Sequence, residues 1–228
     1  ETGAILRGMA AGVATGVAAG LLNGFLVAFV RLQPIVTTFA TGIVLGGAAI
    51  WVLPQAGLPV PDGYWMGYAG EVFGVPSVVW ILVAALVAVA LLSRSVFVAH
   101  LLAVGGNRTG AFQTGLPLRR IRVSAYVLSG LFSALAALCL TGETASGDPL
   151  LGASLALSSI SAVVLGGTAL SGGQGGALGS VLGAFVLGLI GNVIFFAGLP
   201  FEYQTLVQGL IVLLALAGGV LVTRRATS

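Results

Sequence analysis

The chain has 228 residues, of which 58% are hydrophobic and only 7% charged, with a mean hydropathy of +1.13. A soluble domain carries about 25% charged residues, so a water-solvated surface is excluded and lipid is the expected solvent. The net charge of +3 comes from nine arginines and no lysine; they are not interleaved with aromatics as in a nucleic-acid groove, so they read as membrane topology.

Charges divide the chain into apolar stretches, each able to hold the ~20-residue helix that a bilayer core requires. In chain order the expected spans are 8–30, 34–53, 76–92, 123–141, 157–170, 177–197 and 204–222. The second ends where Pro54, Gly57, Pro59 and Pro61 accumulate. Residues 149–201 carry no charge at all. As one helix they would be about 80 Å long, so they must cross twice, and Ser171-Gly172-Gly173-Gln174-Gly175-Gly176 is the strong break between the crossings. The expectation is one all-α, polytopic transmembrane domain over residues 1–228, with seven spans and a long loop at 93–122.

Counting crossings places Arg31, Arg94, Arg108, Arg119, Arg120, Arg122, Arg224 and Arg225 on one face, with no acidic residue. The other face receives Glu1, Arg7, Asp62, Glu71, Glu143, Asp148 and Glu202. The positive-inside rule makes the first face cytoplasmic, with the 93–122 loop and the C-terminus inside and residue 1 outside.

Several chemistries lack their residues. Cys139 is the only cysteine and His100 the only histidine, so neither an internal disulfide nor a His/Cys zinc site is expected. No carboxylate pair falls within a span, which leaves no candidate proton relay or catalytic dyad. Leu170-Ser171-Gly172-Gly173-Gln174 matches the signature motif of ABC ATPases letter for letter. Those enzymes also need a P-loop lysine, which this chain lacks, so the match is turn chemistry. Ser171 as an intramembrane nucleophile fails because His100 lies in the 93–122 loop. No enzymatic activity is expected.

Two features remain. Gly8, Gly12, Gly16, Gly20 and Gly24 recur every fourth residue on one face of the first span, and Gly175, Gly179 and Gly183 repeat the theme in the sixth. Such faces let helix backbones approach closely, within one subunit or between two. Polar but uncharged residues punctuate the spans: Asn23, Thr37, Thr38, Thr41, Ser158, Ser159, Ser161, Thr168, Asn192, Gln204 and Gln208. Many will make interhelical hydrogen bonds, but a pathway lined by Asn23, Thr38, Thr168, Asn192 and Gln208 would suit a neutral polar solute.

The 93–122 loop holds an expected short helix at 105–116, with Asn107 or Thr109 as its cap and Gly115 and Pro117 as its stop. Val104-Gly105-Gly106-Asn107, then Ala111, then Thr114-Gly115-Leu116 resembles the coupling segment of permeases of ribose-type ABC importers. Ser161 to Gly175, read Ser-Ala-Val-Val-Leu-Gly-Gly-Thr-Ala-Leu-Ser-Gly-Gly-Gln-Gly, followed by Leu178-Gly179 and Gly183-Ala184, resembles the same family more closely. The resemblance implies a type II, vitamin-B12-type permease fold of about ten helices, about three of which precede the point where this chain starts. It also implies a second permease subunit, ABC ATPase subunits that use the ATP and magnesium, a periplasmic or lipid-anchored solute-binding protein, and a bacterial inner-membrane location. Gly105, Gly106, Asn107, Arg108, Ala111, Thr114, Gly115 and Leu116 would then meet the ATPase, while the chain itself holds no cofactor. A branched-chain amino acid permease shares the fold and is one alternative; a truncated or regulatory membrane subunit without transport activity is another.

Overall fold

The computed structural model describes residues 2–198, together with 203, 206, 209 and 210. The described residues form nine α-helices and four two-residue strands. In order these are α1 (Thr2–Phe25), α2 (Pro34–Val52), β1 (Leu58–Pro59), α3 (Asp62–Ala69), β2 (Glu71–Val72), β3 (Val75–Pro76), α4 (Ser77–Ser93), α5 (Val96–Gly106), α6 (Arg108–Gln113), α7 (Leu118–Thr144), β4 (Ser146–Gly147), α8 (Leu151–Leu165) and α9 (Ala177–Phe196).

Among the described residues, four helical segments are long and apolar enough to cross a membrane: Thr2–Val30, Pro34–Val52, Leu118–Thr144 and Ala177–Phe196. A fifth arises if α4 and α5, bent by 64° between them, form one broken span. Of the seven expected spans, the one at 157–170 is displaced: α8 starts at Leu151 and ends at Leu165. Its 15 residues make about 22 Å of helix, less than a ~30 Å bilayer core. The reason for the early stop lies at Gly167, whose φ of +80° closes the helix. Gly167 N–H donates to Val164 O and Thr168 N–H to Val163 O, the paired bonds of a Schellman cap. The span expected at 204–222 falls almost wholly outside the described residues.

The chain divides into two compact units. One runs from the N-terminus to Ala88 and resumes at Thr109–Ala153; the other comprises Val89–Arg108 and the chain from Ser154 onward. The first unit is built on the antiparallel pair α1 and α7. A methyl group on Gly12 would meet Leu138; one on Gly16 would lie 2.6 Å from Gly130 O and from Ala134 Cβ; one on Gly20 would strike the Tyr126 carbonyl; one on Gly24 would lie 3.0 Å from Val123 Cα. The glycine face expected from the sequence is thus pressed along the backbone of α7 from Gly16 to Gly24, while Gly12 meets only the Leu138 side chain and Gly8 has nothing within 4 Å.

At the end of α1 the chain widens into a π-helical turn, Leu26–Val30, stopped by Arg31 in a left-handed conformation. Phe25 and Phe29 stack there at 5.3 Å, and the Arg119 guanidinium of α7 lies 5.6 Å from the Phe29 ring. Between α2 and α4 is a folded connection that the proline-rich sequence did not announce. β1 pairs with β4 (Leu58 opposite Gly147), and α3 docks on α7 through the Tyr64 hydroxyl, which donates to Leu138 O at 2.7 Å. A hairpin, β2–β3, then leads into α4, and Trp80 Nε1–H donates back to Val72 O at 3.2 Å.

Few described side chains are buried, and the buried apolar ones are mainly small, including Ala28, Ala111, Ala134 and Ala162. Large apolar side chains such as Phe39, Trp51 and Phe185 lie 65% or more exposed. That inversion suits a helical protein whose outer surface meets lipid.

Candidate functional site

The single helix expected over 105–116 is two helices. α5 begins far upstream at Val96 and runs through Gly106. Asn107 then takes extended angles (φ −144°, ψ 96°) and breaks the helix. The two preceding glycines, the poorest helix formers after proline, set up that break. α6 restarts at Arg108 and lasts only to Gln113. Its end is a second Schellman cap: Gly115, at φ +80°, donates to Phe112 O, and Leu116 N–H donates to Ala111 O. The Thr114 hydroxyl adds a bond to Ala111 O at 2.9 Å. Ala111 is the buried residue of α6, whereas Phe112 is 70% exposed. The segment therefore presents an aromatic ring beside a tightly capped end.

Within the second unit the two sequence blocks that carry the family resemblance meet, although about 65 residues separate them. Gly105 and Gly106, at the end of α5, lie against Gly172 and Gly173, in the connection between α8 and α9. A methyl on Gly105 would lie 2.7 Å from Gly173 N, and one on Gly173 would collide with Gly106 Cα. The connection is itself closed: Ala169 N–H donates to Gln174 O and Gly172 N–H to Ala169 O, both at 3.0 Å. Behind it α8 and α9 pack backbone to backbone. A methyl on Gly179 would strike the Gly166 carbonyl, and one on Gly183 the Ala162 carbonyl. Residues 162 and 166, like 130 and 134 of α7, are small residues four apart. The same spacing rule that singled out the α1 glycines could have found these partners.

The expected pathway residues are divided between the two units. In the first unit, Asn23 Oδ1 accepts from the Thr41 hydroxyl at 2.6 Å, and the Thr38 hydroxyl lies 3.0 Å from Pro34 O on its own helix. In the second, Thr168 and Ser180 hydroxyls are 3.3 Å apart, and Asn192 is exposed on α9. Gln208 lies outside the described residues. Among the described residues no cluster of three or more His, Cys, Asp or Glu side chains could hold a metal.

Residues 2–216 match the model of a family described as branched-chain amino acid transport system / permease component. The ribose import permease protein of Bacillus subtilis (strain 168) is 35% identical over 189 residues, 81% of this chain and 59% of that protein. The L-arabinose transport system permease protein of Escherichia coli (strain K12) is 36% identical over 217 residues, 94% of this chain and 66% of that protein. A probable ABC transporter permease protein of the same E. coli strain is 33% identical over 84% of this chain and 58% of its own length. The chain thus spans about three fifths of the length of the curated relatives it matches. No solved structure matches it significantly. With a family match over nearly its whole length and these identities, the chain belongs to the branched-chain amino acid transport system permease family, as a multi-pass membrane protein.

Proposed function

We propose that this chain is the membrane-spanning part of an ATP-driven importer, carrying a neutral sugar or similar small polar solute through a type II permease fold with seven spans in this stretch. The observation that carries the reading is the alignment with ribose and arabinose permeases over 81–94% of the chain. The absence of charge between Asp148 and Glu202 agrees with it, because an uncharged lining needs no countercharge for a neutral solute. In this reading two permease subunits flank the pathway, two ATPase subunits contact 105–116 from the cytoplasm, and a binding protein delivers solute from outside. Asn23, Thr38, Thr168, Asn192 and Gln208 contribute polar groups to the pathway.

The family's own description favours a second reading, a branched-chain amino acid as solute. A zwitterion needs a charged or helix-end partner, so the two separate by experiment. The full-length permease, reconstituted with its ATPase and binding protein, is offered radiolabelled ribose, arabinose and leucine. ATP-dependent uptake of a pentose supports the first reading, uptake of leucine alone the second, and uptake of none overturns both.

A further inference from the structure

We infer that the contact between Gly105-Gly106 and Gly172-Gly173 is a backbone clamp that makes the α8–α9 hairpin move as one body with the chain entering α6, and that Gly173 is a positioning residue for coupling. This rests on the importer reading above. The ABC-signature-like stretch Leu170–Gln174 lies in the connection between α8 and α9, and its shape is closely specified. A simple connection between two helices needs no contact with a third. This one presses its tip, Gly172-Gly173, onto the last turn of α5, one residue before the Asn107 break.

Contact at that point involves no side chain. Side-chain packing can absorb a displacement by changing rotamers, whereas apposed backbones have no such slack. Gly173 has a φ of +79° and no room for a Cβ, so both the turn and the contact require glycine. The hydrogen bonds from Ala169 to Gln174 and from Gly172 to Ala169 fix the loop on itself. Gly166, Gly179 and Gly183 in turn lock α8 to α9. A displacement arriving through Asn107–Arg108 is therefore passed to the hairpin without loss, the rigid-element behaviour that switching machines use.

The test uses the full-length permease assembled with its ATPase and binding protein in liposomes, with Gly173→Ala set against Gly176→Ala. Gly176 lies in the same turn but has nothing within 4 Å, and its extended backbone (φ −154°) accepts alanine at the cost of some N-cap preference only. Gly173→Ala is expected to leave ATPase association and basal ATP hydrolysis within about twofold while solute moved per ATP falls about tenfold; Gly176→Ala keeps all three. Normal transport per ATP in Gly173→Ala overturns the clamp. If Gly173→Ala fails to accumulate, a second variant decides. Gly106→Cys with Gln174→Cys, in a Cys139→Ser background, is bridged by a short bifunctional thiol reagent, with uptake of the same variant before bridging as the reference. Continued uptake after bridging supports one-body motion, and loss of uptake with intact ATPase association overturns it. Failure of the unmodified assembly to hydrolyse ATP or take up solute would instead reject the importer reading itself.

Discussion

The glycine face of α1 is where a single methyl group has the largest calculable effect. Gly20 has the Tyr126 carbonyl directly against it, so Gly20→Ala must push α1 and α7 apart. Overpacking of this kind costs about 1–3 kcal/mol, and the gain in helix propensity of about 1 kcal/mol offsets only part of it. Gly8→Ala, on the same face with nothing within 4 Å, keeps the propensity gain alone. Thermal unfolding in detergent should therefore place Gly20→Ala below the parent protein and Gly8→Ala at or above it; equal midpoints for the two would show that α1 does not pack as described. Tyr64 offers a pH-dependent counterpart. Burial, then the nearby Cys139 and Tyr68, raises its phenol above the ordinary 10. A raised folded pKa contributes stability fully present below pH 10 and lost as pH rises through the folded value. Tyr64→Phe removes the bond to Leu138 O, worth about 0.5–1.5 kcal/mol. The stability difference between parent and variant is expected to be constant from pH 7 to 9 and to shrink above pH 10, as followed by thermal unfolding across that range.

α6 shows how much a short element depends on its ends. Six residues cannot sustain a helix alone; the cap at Gly115 and the buried Ala111 hold it. Gly115→Arg places a side chain at φ +80° and removes the cap, and Gly110→Pro breaks the turn from within. Both should abolish coupled uptake while the permease still inserts, which parallel measurement of membrane level and transport would reveal. Phe112→Ala tests the exposed ring. Full burial of a Phe against a partner contributes about 1.5–3 kcal/mol, so its loss should weaken ATPase association roughly ten- to a hundredfold; unchanged affinity would place the contact elsewhere on the segment. The stop at Gly115 was legible in the sequence because glycine followed by proline two residues later leaves few alternatives. Asn107 was legible too, as one of the two expected caps, and α6 starts directly after it. The upstream reach of α5 to Val96 was not, because His100 interrupts its apolar sequence, and only the three-dimensional contact with Gly172-Gly173 shows what its glycine end packs against. Likewise Gly166-Gly167 yielded the cap of α8, while the more conspicuous run at 171–176 became the contact surface beyond it.

At the scale of the whole molecule, composition alone was enough for a helical membrane protein, since lipid leaves an apolar chain few other solutions. The folded connection between α2 and α4 was not legible, because β1 finds its partner β4 about 90 residues away and no local periodicity encodes that pairing. Orientation is the property that charge decides most directly. The seven-span count expected from the sequence would put eight arginines and no acid on one face, against one arginine and six acids on the other. On that count Gln113, which ends α6, would lie on the first face, and Phe73, 95% exposed at the tip of the β2–β3 hairpin, on the second. With Cys139 replaced by Ser to leave no background thiol, a membrane-impermeant maleimide applied to intact cells should label Phe73→Cys and spare Gln113→Cys, and permeabilisation should expose the latter. The reverse pattern would invert the molecule and remove 105–116 from any cytoplasmic ATPase. Labelling of both from outside would mean that an odd number of crossings does not separate them. The two positions flank α4 and α5, so this outcome also decides whether the bent pair crosses the membrane once or turns back within it.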